Sequence, residues 1–283
     1  MKRILLLLFI LLCTATAVHA EIPITVNVDS VPVKFDVEPR IIDGRTMVPV
    51  RAILEALGAK VEWDASTRTV TATTDLKKIS MVIGKKEIAV GEKYMLMDTA
   101  PIILENRTLV PARYAAEVLE NTVKWDASTR TVNIISTEKP KISYYKKYDG
   151  AGIHFMYPAE WLLDEGYEGT VFIDNQPVSY DESGLALISV SVVDHVNGAF
   201  HSTISTRYDY LLNDCGYNVS EFKATTINGH DAQLFRYIDA EGDYVLSYFV
   251  AGSKKSYCIE FITDTENDFS GTFSNVMSTL QVD

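Results

Sequence analysis

The sequence predicts an α+β protein in which a duplicated helix-plus-β-hairpin module is followed by an antiparallel sheet domain with helices on one face. Three observations predict this architecture. The octapeptide WDASTRTV occurs twice without change, from Trp63 to Val70 and from Trp125 to Val132. A polar, proline-marked break follows the second copy. Beyond it, alternating apolar runs typical of strands are interrupted by two amphipathic patterns typical of helices.

Residues 1–20 have the pattern of a secretory signal peptide. Two basic residues precede an apolar run from Ile4 to Leu12, and small residues lead to a cleavage position at Ala20. The apolar run is too short to cross a membrane. Lipidation of Cys13 requires a small residue directly before it, but Leu12 stands there, so we do not expect a lipid anchor. We expect the mature chain to start near Glu21 and to contain no transmembrane segment. This pattern predicts a secreted or cell-envelope protein.

The duplicated module extends upstream of the octapeptide at a constant offset of 62 residues. Gly44 and Asn106 each separate two short apolar runs and tolerate a positive φ, which predicts a tight turn. A helix then follows from a proline in each copy. We expect Gly58 to end the first helix and Asn121 to end the second. The octapeptide itself predicts a β-hairpin with one apolar face.

Charged and aromatic residues of the module are expected to be structural. Arg51 and Glu55, like Arg113 and Glu117, are four residues apart on a helix, so we expect ion pairs that brace helix against sheet. The two tryptophans of the octapeptides follow the same alternation as the valines two residues before them. We therefore expect both to be buried, and replacement of either by alanine to cost about 3 to 5 kcal/mol.

The double GRTMVPVRAILEALGAKVEWDASTRTV pattern resembles the copper amine oxidase N-terminal-like domain, or stalk domain, of secreted and envelope proteins in Firmicutes. The resemblance covers roughly Ile24 to Ser136 and includes both half-motifs. It implies a small α+β module of poorly defined function, which in the oxidases lies apart from the copper site. The sequence has neither a His-X-His pair nor an Asn-Tyr-Asp/Glu run for a quinone cofactor, so we expect no cofactor.

The polar segment 137–143 is the expected linker between the repeat domain, 21–136, and a second domain, 144–283. The second domain begins with a strand that enters Tyr157-Pro158-Ala159-Glu160-Trp161. Further strands are predicted at residues 171–174, 185–193, 231–238, 244–250 and 256–262. Apolar residues at helical spacing predict two helices, one with Phe200, Ile204, Tyr208, Leu211, Leu212 and Cys215, the other with Phe269, Phe273, Val276, Met277 and Leu280.

The YPAEW motif and the closing helix of this second domain resemble the PsbP-like fold of bacterial secreted proteins. The resemblance rests on one short motif and on the order of elements. In that fold, Tyr157, Pro158 and Trp161 would be core and turn residues, and ordinary packing of aromatic side chains next to a proline supports the same assignment.

Charge is divided unevenly between the two halves. From Glu21 to Lys139 the sequence has 16 basic and 17 acidic residues, whereas from Pro140 onward it has 8 basic and 21 acidic residues. A strongly acidic half is repelled by phosphate backbones and anionic lipids. We therefore expect no nucleic-acid partner, and a cell wall polymer or an envelope protein to contact the near-neutral repeat domain.

Motifs for catalysis and metal binding are absent from the sequence, including nucleophile elbows, zinc-protease motifs, phosphate loops and Cys-X-X-Cys. His195 and His201 are poor candidates for metal ligands because they are six residues apart without a nearby cysteine. Asp264, Glu266 and Asp268 lack the glycine and distal glutamate of a calcium loop. We expect no catalytic, cofactor-binding or metal-binding residues.

Cys215 and Cys258 are the two cysteines that remain after export. Whether they form a disulfide between helix and sheet depends on the distance between them, which the sequence does not give.

The sequence thus favours a non-catalytic, exported envelope protein that binds or scaffolds. Two alternatives remain: a carrier of a divalent cation or small ligand in the acidic half, and an enzyme without a known motif.

Overall fold

The structure is a computed structural model that describes residues 22–140, 142–166, 170–175, 186–194, 200–253, 255–264 and 270–283. The chain forms two compact units. Of the described residues, the first unit comprises those in 22–76, 81–86 and 99–140, and the second comprises those in 77–80, 87–98 and 142–283. The predicted signal peptide lies outside the described residues. Segment 87–98 belongs to the second unit although the sequence places it in the repeat domain, so the sequence-based domain bounds stay a prediction.

Most of the regular structure described is β-strand. In the first half of the chain the elements are β1 Thr25–Val28, β2 Val31–Pro32, β3 Arg40–Ile42, β4 Arg45–Pro49, α1 Val50–Ala56, β5 Lys60–Asp64, β6 Thr69–Thr73, β7 Lys78–Val82, β8 Glu87–Val90, β9 Lys93–Leu96, β10 Ile102–Leu104, β11 Arg107–Pro111, α2 Ala112–Glu117, β12 Thr122–Asp126 and β13 Thr131–Ile135. In the second half they are β14 Tyr145–Gly150, β15 Ile153–Pro158, β16 Leu162–Glu165, β17 Val171–Asp174, β18 Ala186–Asp194, α3 Phe200–Asp209, a π-helical turn Tyr210–Asp214, β19 Asn218–Ile227, β20 His230–Ile238, β21 Tyr244–Ala251, β22 Lys255–Thr263, α4 Ser270–Thr279 and β23 Gln281–Val282.

The first unit contains a four-stranded sheet with the order β10-β11-β4-β3. Its outer pairs, β3 with β4 and β10 with β11, are hairpins with tight turns at Asp43–Gly44 and at Glu105–Asn106. All four turn residues have a positive φ, between 48° and 72°. This geometry suits the right-handed twist of a two-residue hairpin, and it confirms the turns predicted at Gly44 and Asn106.

A short helix follows the inner strand in each copy and begins after a proline, Pro49 or Pro111, at the N-cap. Gly58 ends the first helix with a φ of +86°, as predicted. The prediction for Asn121 is wrong: Glu120 has the positive φ of 61°, and it stands 62 residues after Gly58. Asn121 instead donates hydrogen bonds from its side-chain amide to the carbonyls of Leu119 and Ala116, which serves the same helix end.

Each helix leads into a hairpin with the same register, β5 with β6 and β12 with β13. An aspartate closes each hairpin turn. The Oδ1 atom of Asp64 accepts hydrogen bonds from the backbone N–H and the hydroxyl of Ser66, at 2.8 and 2.7 Å. These bonds, with one from the Thr67 hydroxyl, lower the pKa of Asp64 to about 2. Asp126 makes the equivalent bonds to Ser128.

The second unit contains a seven-stranded antiparallel sheet with the order β16-β17-β18-β22-β21-β20-β19. Strands exist at each predicted position in the described part of this half. The sequence missed β14, β16 and β19, in which polar and charged residues obscure the alternation: β16 is exposed along its whole length and β19 along much of it. In the same unit β14 pairs with β15 and, through Tyr145 and Tyr94, with β9.

The helices of this unit do not share one face of the sheet, so that part of the predicted fold is wrong. Residues of α4, including Phe273 and Val276, pack with Ile259 and Phe261 of β22. In contrast, Ile204 of α3 packs with Cys258, the residue directly before Ile259 in the same strand. Because successive side chains of a strand point to opposite faces, α3 and α4 cover opposite faces. Both faces of β22 are apolar, so the sequence does not indicate which face of the sheet each helix covers.

The aromatic motif at the end of β15 is confirmed as core. Tyr157 and Trp161 are 6% and 5% exposed and belong to the cluster under α4. The pattern of the first predicted helix is only partly right, since Leu211 is buried whereas Leu212 is 36% exposed. The shift from α-helix to a π-helical turn at Tyr210–Asp214 changes the angle between successive residues, which explains why the predicted spacing fails there.

Candidate functional site

The first unit has a groove of about 540 Å³ that draws on both copies of the repeat. The first copy supplies the start of α1 and the apolar face of the β5–β6 hairpin, and the second copy supplies the β10–β11 turn. The groove is lined by Asp36, Pro49, Val50, Arg51, Val61, Trp63, Val70, Ile103, Asn106, Arg107 and Thr108. We call it the Trp63 groove. Its volume lies within the range typical of small-ligand sites, about 300 to 1,000 Å³.

Trp63 is the largest side chain in this groove, and it is 39% exposed. Trp125, its equivalent, is 43% exposed. The prediction that both tryptophans are buried is therefore wrong, as is the stability cost that rested on it. Trp63 shares a face with Val61, which is 8% exposed, but it is the last residue of β5 on that face before the hairpin turn. Alternation gives the face of a strand, but it does not give the extent of the layer that covers the face.

An ion pair forms one wall of the groove. Arg107 donates a hydrogen bond from Nε to Oδ2 of Asp36 at 2.6 Å, and its Nη2 lies 2.5 Å from the same oxygen. The bond from Arg107 holds the pKa of Asp36 below its ordinary value, and Asp36 in turn raises the pKa of Arg107. Arg107 also donates a hydrogen bond from Nη1 to the carbonyl of Asn106 at 3.0 Å. These contacts fix the orientation of the guanidinium beside the groove.

Arg51 forms the opposite polar element. Its Nη1 atom donates to the carbonyl of Val61 at 2.7 Å and to Oε1 of Glu55 at 3.3 Å. The predicted ion pair is thus present, and the bond to Val61 connects α1 to β5. In the second copy, Nε of Arg113 lies 3.9 Å from Oε1 of Glu117. Half of the Arg51 side chain is exposed, so it can contact a ligand while it keeps its structural bonds.

An indole ring flanked by oriented charged and amide groups suits a ligand with both apolar and hydroxyl-bearing surface. The ring face offers apolar contact area, and the guanidinium and carboxylate groups offer hydrogen bonds. Sequence analysis missed Asp36, Ile103, Asn106 and Arg107 as groove residues. The repeated arginine after each turn, Arg45 and Arg107, was the available signal, but only the pairing of the two copies brings that turn to the hairpin.

A second polar cluster lies in the sheet of the second unit, beneath α3. Oε1 of Glu260 accepts hydrogen bonds from Arg207 Nη2 at 3.0 Å, from the Tyr237 hydroxyl at 3.0 Å and from the Ser247 hydroxyl at 3.3 Å. Burial and the Glu260 carboxylate raise the pKa of Tyr237 far above its ordinary value. We call this the Glu260 cluster. Its donors converge on one carboxylate oxygen, and the Arg207 and Glu260 side chains are only 28% and 17% exposed, which indicates a structural role.

The residues weighed as metal ligands are not assembled into a site. His201 is exposed in α3, while His195, Glu266 and Asp268 lie outside the described residues. Within the described residues, no group of three or more His, Cys, Asp or Glu side chains is placed to hold a metal ion. Cys258 is buried and Cys215 is partly exposed, and both are free thiols. Burial raises the pKa of Cys258 well above its ordinary value.

The sequence predicts no transmembrane segment in the mature chain. In the part of the chain that the structure describes, no helix is both long and apolar enough to cross a lipid bilayer.

Two family models match the chain. The copper amine oxidase N-terminal domain matches residues 27–134, which contain both repeats and the Trp63 groove, and the PsbP-like protein family matches residues 114–281. Both families are those that the sequence motifs resemble. A search of the curated proteins found no match.

Matches among solved structures include the solution structure of cyanobacterial PsbP (CyanoP) from Synechocystis sp. PCC 6803. It is 14% identical, covers 50% of this chain and 94% of its own, and has a TM-score of 0.38. A crystal structure from Bacteroides thetaiotaomicron VPI-5482 at 1.50 Å resolution is 19% identical, covers 48% of each chain and has a TM-score of 0.33.

The match to residues 114–281 spans more than half of the sequence and includes the whole seven-stranded sheet and both helices of the second unit. The protein therefore belongs to the PsbP-like family, and it has a copper amine oxidase N-terminal domain ahead of the PsbP-like region.

Proposed function

We propose that this chain is an exported, non-catalytic protein of the cell envelope whose repeat domain binds the glycan of the cell wall in the Trp63 groove. The observation that carries the proposal is the 39% exposed Trp63 side chain at a groove whose polar groups are held in place. The N-terminal signal pattern supports export. Both matched families consist of non-catalytic domains, which favours binding over catalysis.

Wall glycan fits the chemistry of this groove. One face of a pyranose ring carries mainly C–H bonds, so stacking on the indole removes apolar area from water on both partners. The hydroxyl and carboxylate groups at the ring edge can then accept hydrogen bonds from Arg51 and Arg107, and the hydroxyl groups can donate hydrogen bonds to Asp36. An envelope protein is the competing partner, and it is an outcome of the test.

Charge assigns the roles of the two halves in this proposal. The repeat domain is nearly neutral, whereas the half that starts at Pro140 has 8 basic and 21 acidic residues. Repulsion keeps an acidic domain away from a polyanionic wall. We infer that the repeat domain, at 21–136, contacts the wall, while the acidic domain at 144–283, after the linker at 137–143, stays in solution.

Co-sedimentation with purified, protein-free peptidoglycan tests this function. We expect the full chain to sediment with the insoluble glycan, and Trp63→Ala to reduce the bound fraction by about tenfold, since aromatic anchors dominate such interfaces. Leu76→Ala is the matched control, because Leu76 is 90% exposed in the same unit but does not line the groove. Equal sedimentation of the Trp63→Ala variant and the control would remove the groove from the proposal. Failure of the unmodified chain to sediment would overturn it in favour of a protein partner.

A further inference from the structure

The two repeats of the first unit are related by a local two-fold axis through the centre of the β4–β11 pair. Val48 and Val110, which are 62 residues apart, lie directly opposite each other in this antiparallel pair. Pro49 lies opposite Leu109, and Met47 lies opposite Pro111, so the pairs on either side of the centre are equivalent. The outer strands β3 and β10 complete the symmetry of the sheet.

The two hairpins have the same internal register, although they belong to different sheets. Trp63 pairs with Val70 in the first copy, and Trp125 pairs with Val132 in the second. The groove combines the hairpin of the first copy with the turn of the second. Extended to the hairpins, the two-fold relation of the β4–β11 pair places the hairpin of the second copy next to the turn of the first. The second hairpin presents Trp125, and the first turn presents Gly44 and Arg45.

Exposure agrees between the equivalent residues. Trp125 is 43% exposed against 39% for Trp63, and Ile41 is 48% exposed against 43% for its equivalent Ile103. Neighbouring exposed apolar side chains are typical of interaction sites, and the duplicated sequence places the same two residue types at both positions. The exposed pairs therefore indicate two candidate binding sites of the same kind.

We propose that the first unit has a second glycan-binding groove around Trp125, built from the second hairpin and the first turn. This inference rests on the proposed function of the Trp63 groove. Arg113 takes the place of Arg51, Arg45 that of Arg107 and Thr46 that of Thr108. The Arg113 side chain is 68% exposed, compared with 49% for Arg51, so its guanidinium is accessible to a ligand.

The second groove differs in one polar group. Gly44 stands where the first groove has Asn106, which removes a side-chain amide. We therefore expect the same ligand class with a weaker affinity at the second groove. Two grooves allow one module to contact two glycan strands at the same time and so to link them.

Tryptophan fluorescence distinguishes the grooves in the full-length chain. The sequence contains three tryptophans, of which Trp161 is 5% exposed in the core of the second unit. Trp63→Phe leaves Trp125 as the reporter, and Trp125→Phe leaves Trp63. Phenylalanine keeps an aromatic face at a half-exposed position, so folding is retained. The probe is the tetrasaccharide that a muramidase releases from peptidoglycan, and the doubly substituted chain is the control that shows no response.

We expect saturable changes in emission in both single variants, with a dissociation constant a few-fold larger in Trp63→Phe. A response in Trp125→Phe alone would overturn the second groove and leave the proposed function intact. The absence of a response in both variants would overturn both. As an independent measurement, Arg113→Gln should weaken the response of Trp125 in the Trp63→Phe background while the thermal unfolding midpoint changes little, because the 3.9 Å pair with Glu117 contributes little.

Discussion

The guanidinium of Arg207 on α3 lies 3.0 Å from Oε1 of Glu260 on β22, and the same oxygen also accepts hydrogen bonds from the hydroxyl groups of Tyr237 and Ser247. The Arg207 guanidinium carbon is also 5.5 Å from the centroid of the Tyr210 ring. The pair therefore joins the helix to three strands of the sheet. It explains why a charged residue is tolerated in the middle of an otherwise apolar strand.

Replacement of Glu260 by alanine should destabilise the second unit by about 2 to 3 kcal/mol, because a largely buried arginine and two hydroxyl groups lose their acceptor. Glu221→Ala is the matched control. It breaks the ion pair with Arg236, in which the side chains are 39% and 51% exposed, and should cost less than about 1 kcal/mol. Hydrogen exchange of β20 to β22 peptides measures both. Equal protection in the two variants would contradict a structural role for the Glu260 cluster.

The strands and helices could be predicted from the sequence to a large extent. The octapeptide gave both hairpins, since a register is fixed by its turn and by the alternation of side chains. Most strands of the second unit followed from their apolar runs, whereas the polar strands β14, β16 and β19 did not. In contrast, the faces covered by α3 and α4 could not be predicted, because β22 has apolar residues on both faces. Sidedness depends on contacts between distant segments.

The groove could not be predicted from the sequence for a similar reason. Its residues come from Asp36, the first helix and hairpin, and the second turn, which only the β4–β11 pairing brings together. The sequence correctly indicates the face of β5 on which Trp63 lies, but the prediction that Trp63 is buried is wrong. An exposed tryptophan and a buried one have the same alternation, so the distinction requires the three-dimensional extent of the covering layer.

Opposite changes at the two helix ends should have opposite effects on stability. Gly58 and Glu120 both have a left-handed backbone, with φ of 86° and 61°. Gly58→Ala should destabilise the first unit by about 1 kcal/mol, because an added Cβ is strained there although nothing lies within 4 Å of it. Glu120→Gly should stabilise the unit by about 0.5 to 1 kcal/mol.

The ion pair that Glu120→Gly removes does not reverse this expectation. Glu120 lies 3.7 Å from Lys139, with side chains 41% and 66% exposed, so the pair contributes little. Thermal unfolding of the two variants against the unmodified chain measures the effect. A shift of both midpoints in the same direction would show that backbone conformation does not control these positions.

The two cysteines should differ sharply in reactivity. Cys258 is 3% exposed, and burial raises the pKa of its thiol, so little of the reactive thiolate is present under native conditions. Cys215 is partly exposed at the end of the π-helical turn. Brief treatment with iodoacetamide should modify Cys215 before Cys258, and Cys258 should react only after unfolding in urea. Peptide mapping by mass spectrometry identifies the modified residue. Native modification of both thiols at the same rate would contradict the packing under α3.

Protonation of His154 should stabilise the second unit below neutral pH. Its Nε2 atom lies 2.9 Å from Oδ1 of Asp283, and its Nδ1 atom lies 2.9 Å from Oδ1 of Asp149. The hydrogen bond with Asp283 is the main cause that raises the pKa of His154 above its ordinary value of 6.5, and Asp149 adds to it. Because the folded pKa is the higher one, this stabilisation is fully present below the unfolded pKa and is lost as the pH rises through the folded pKa.

Asp283→Asn tests this dependence. The variant should be less stable than the unmodified chain at about pH 5.5, and the difference should be smaller at about pH 8.5, because the imidazole loses its proton as the pH rises through its folded pKa. The effect is modest because the side chains of His154 and Asp283 are 34% and 70% exposed. Thermal unfolding at the two pH values measures it, with the exposed His201→Gln as the matched control. If Asp283→Asn lowers the midpoint equally at both pH values, the aspartate acts through packing of β23 and not through the charge on His154.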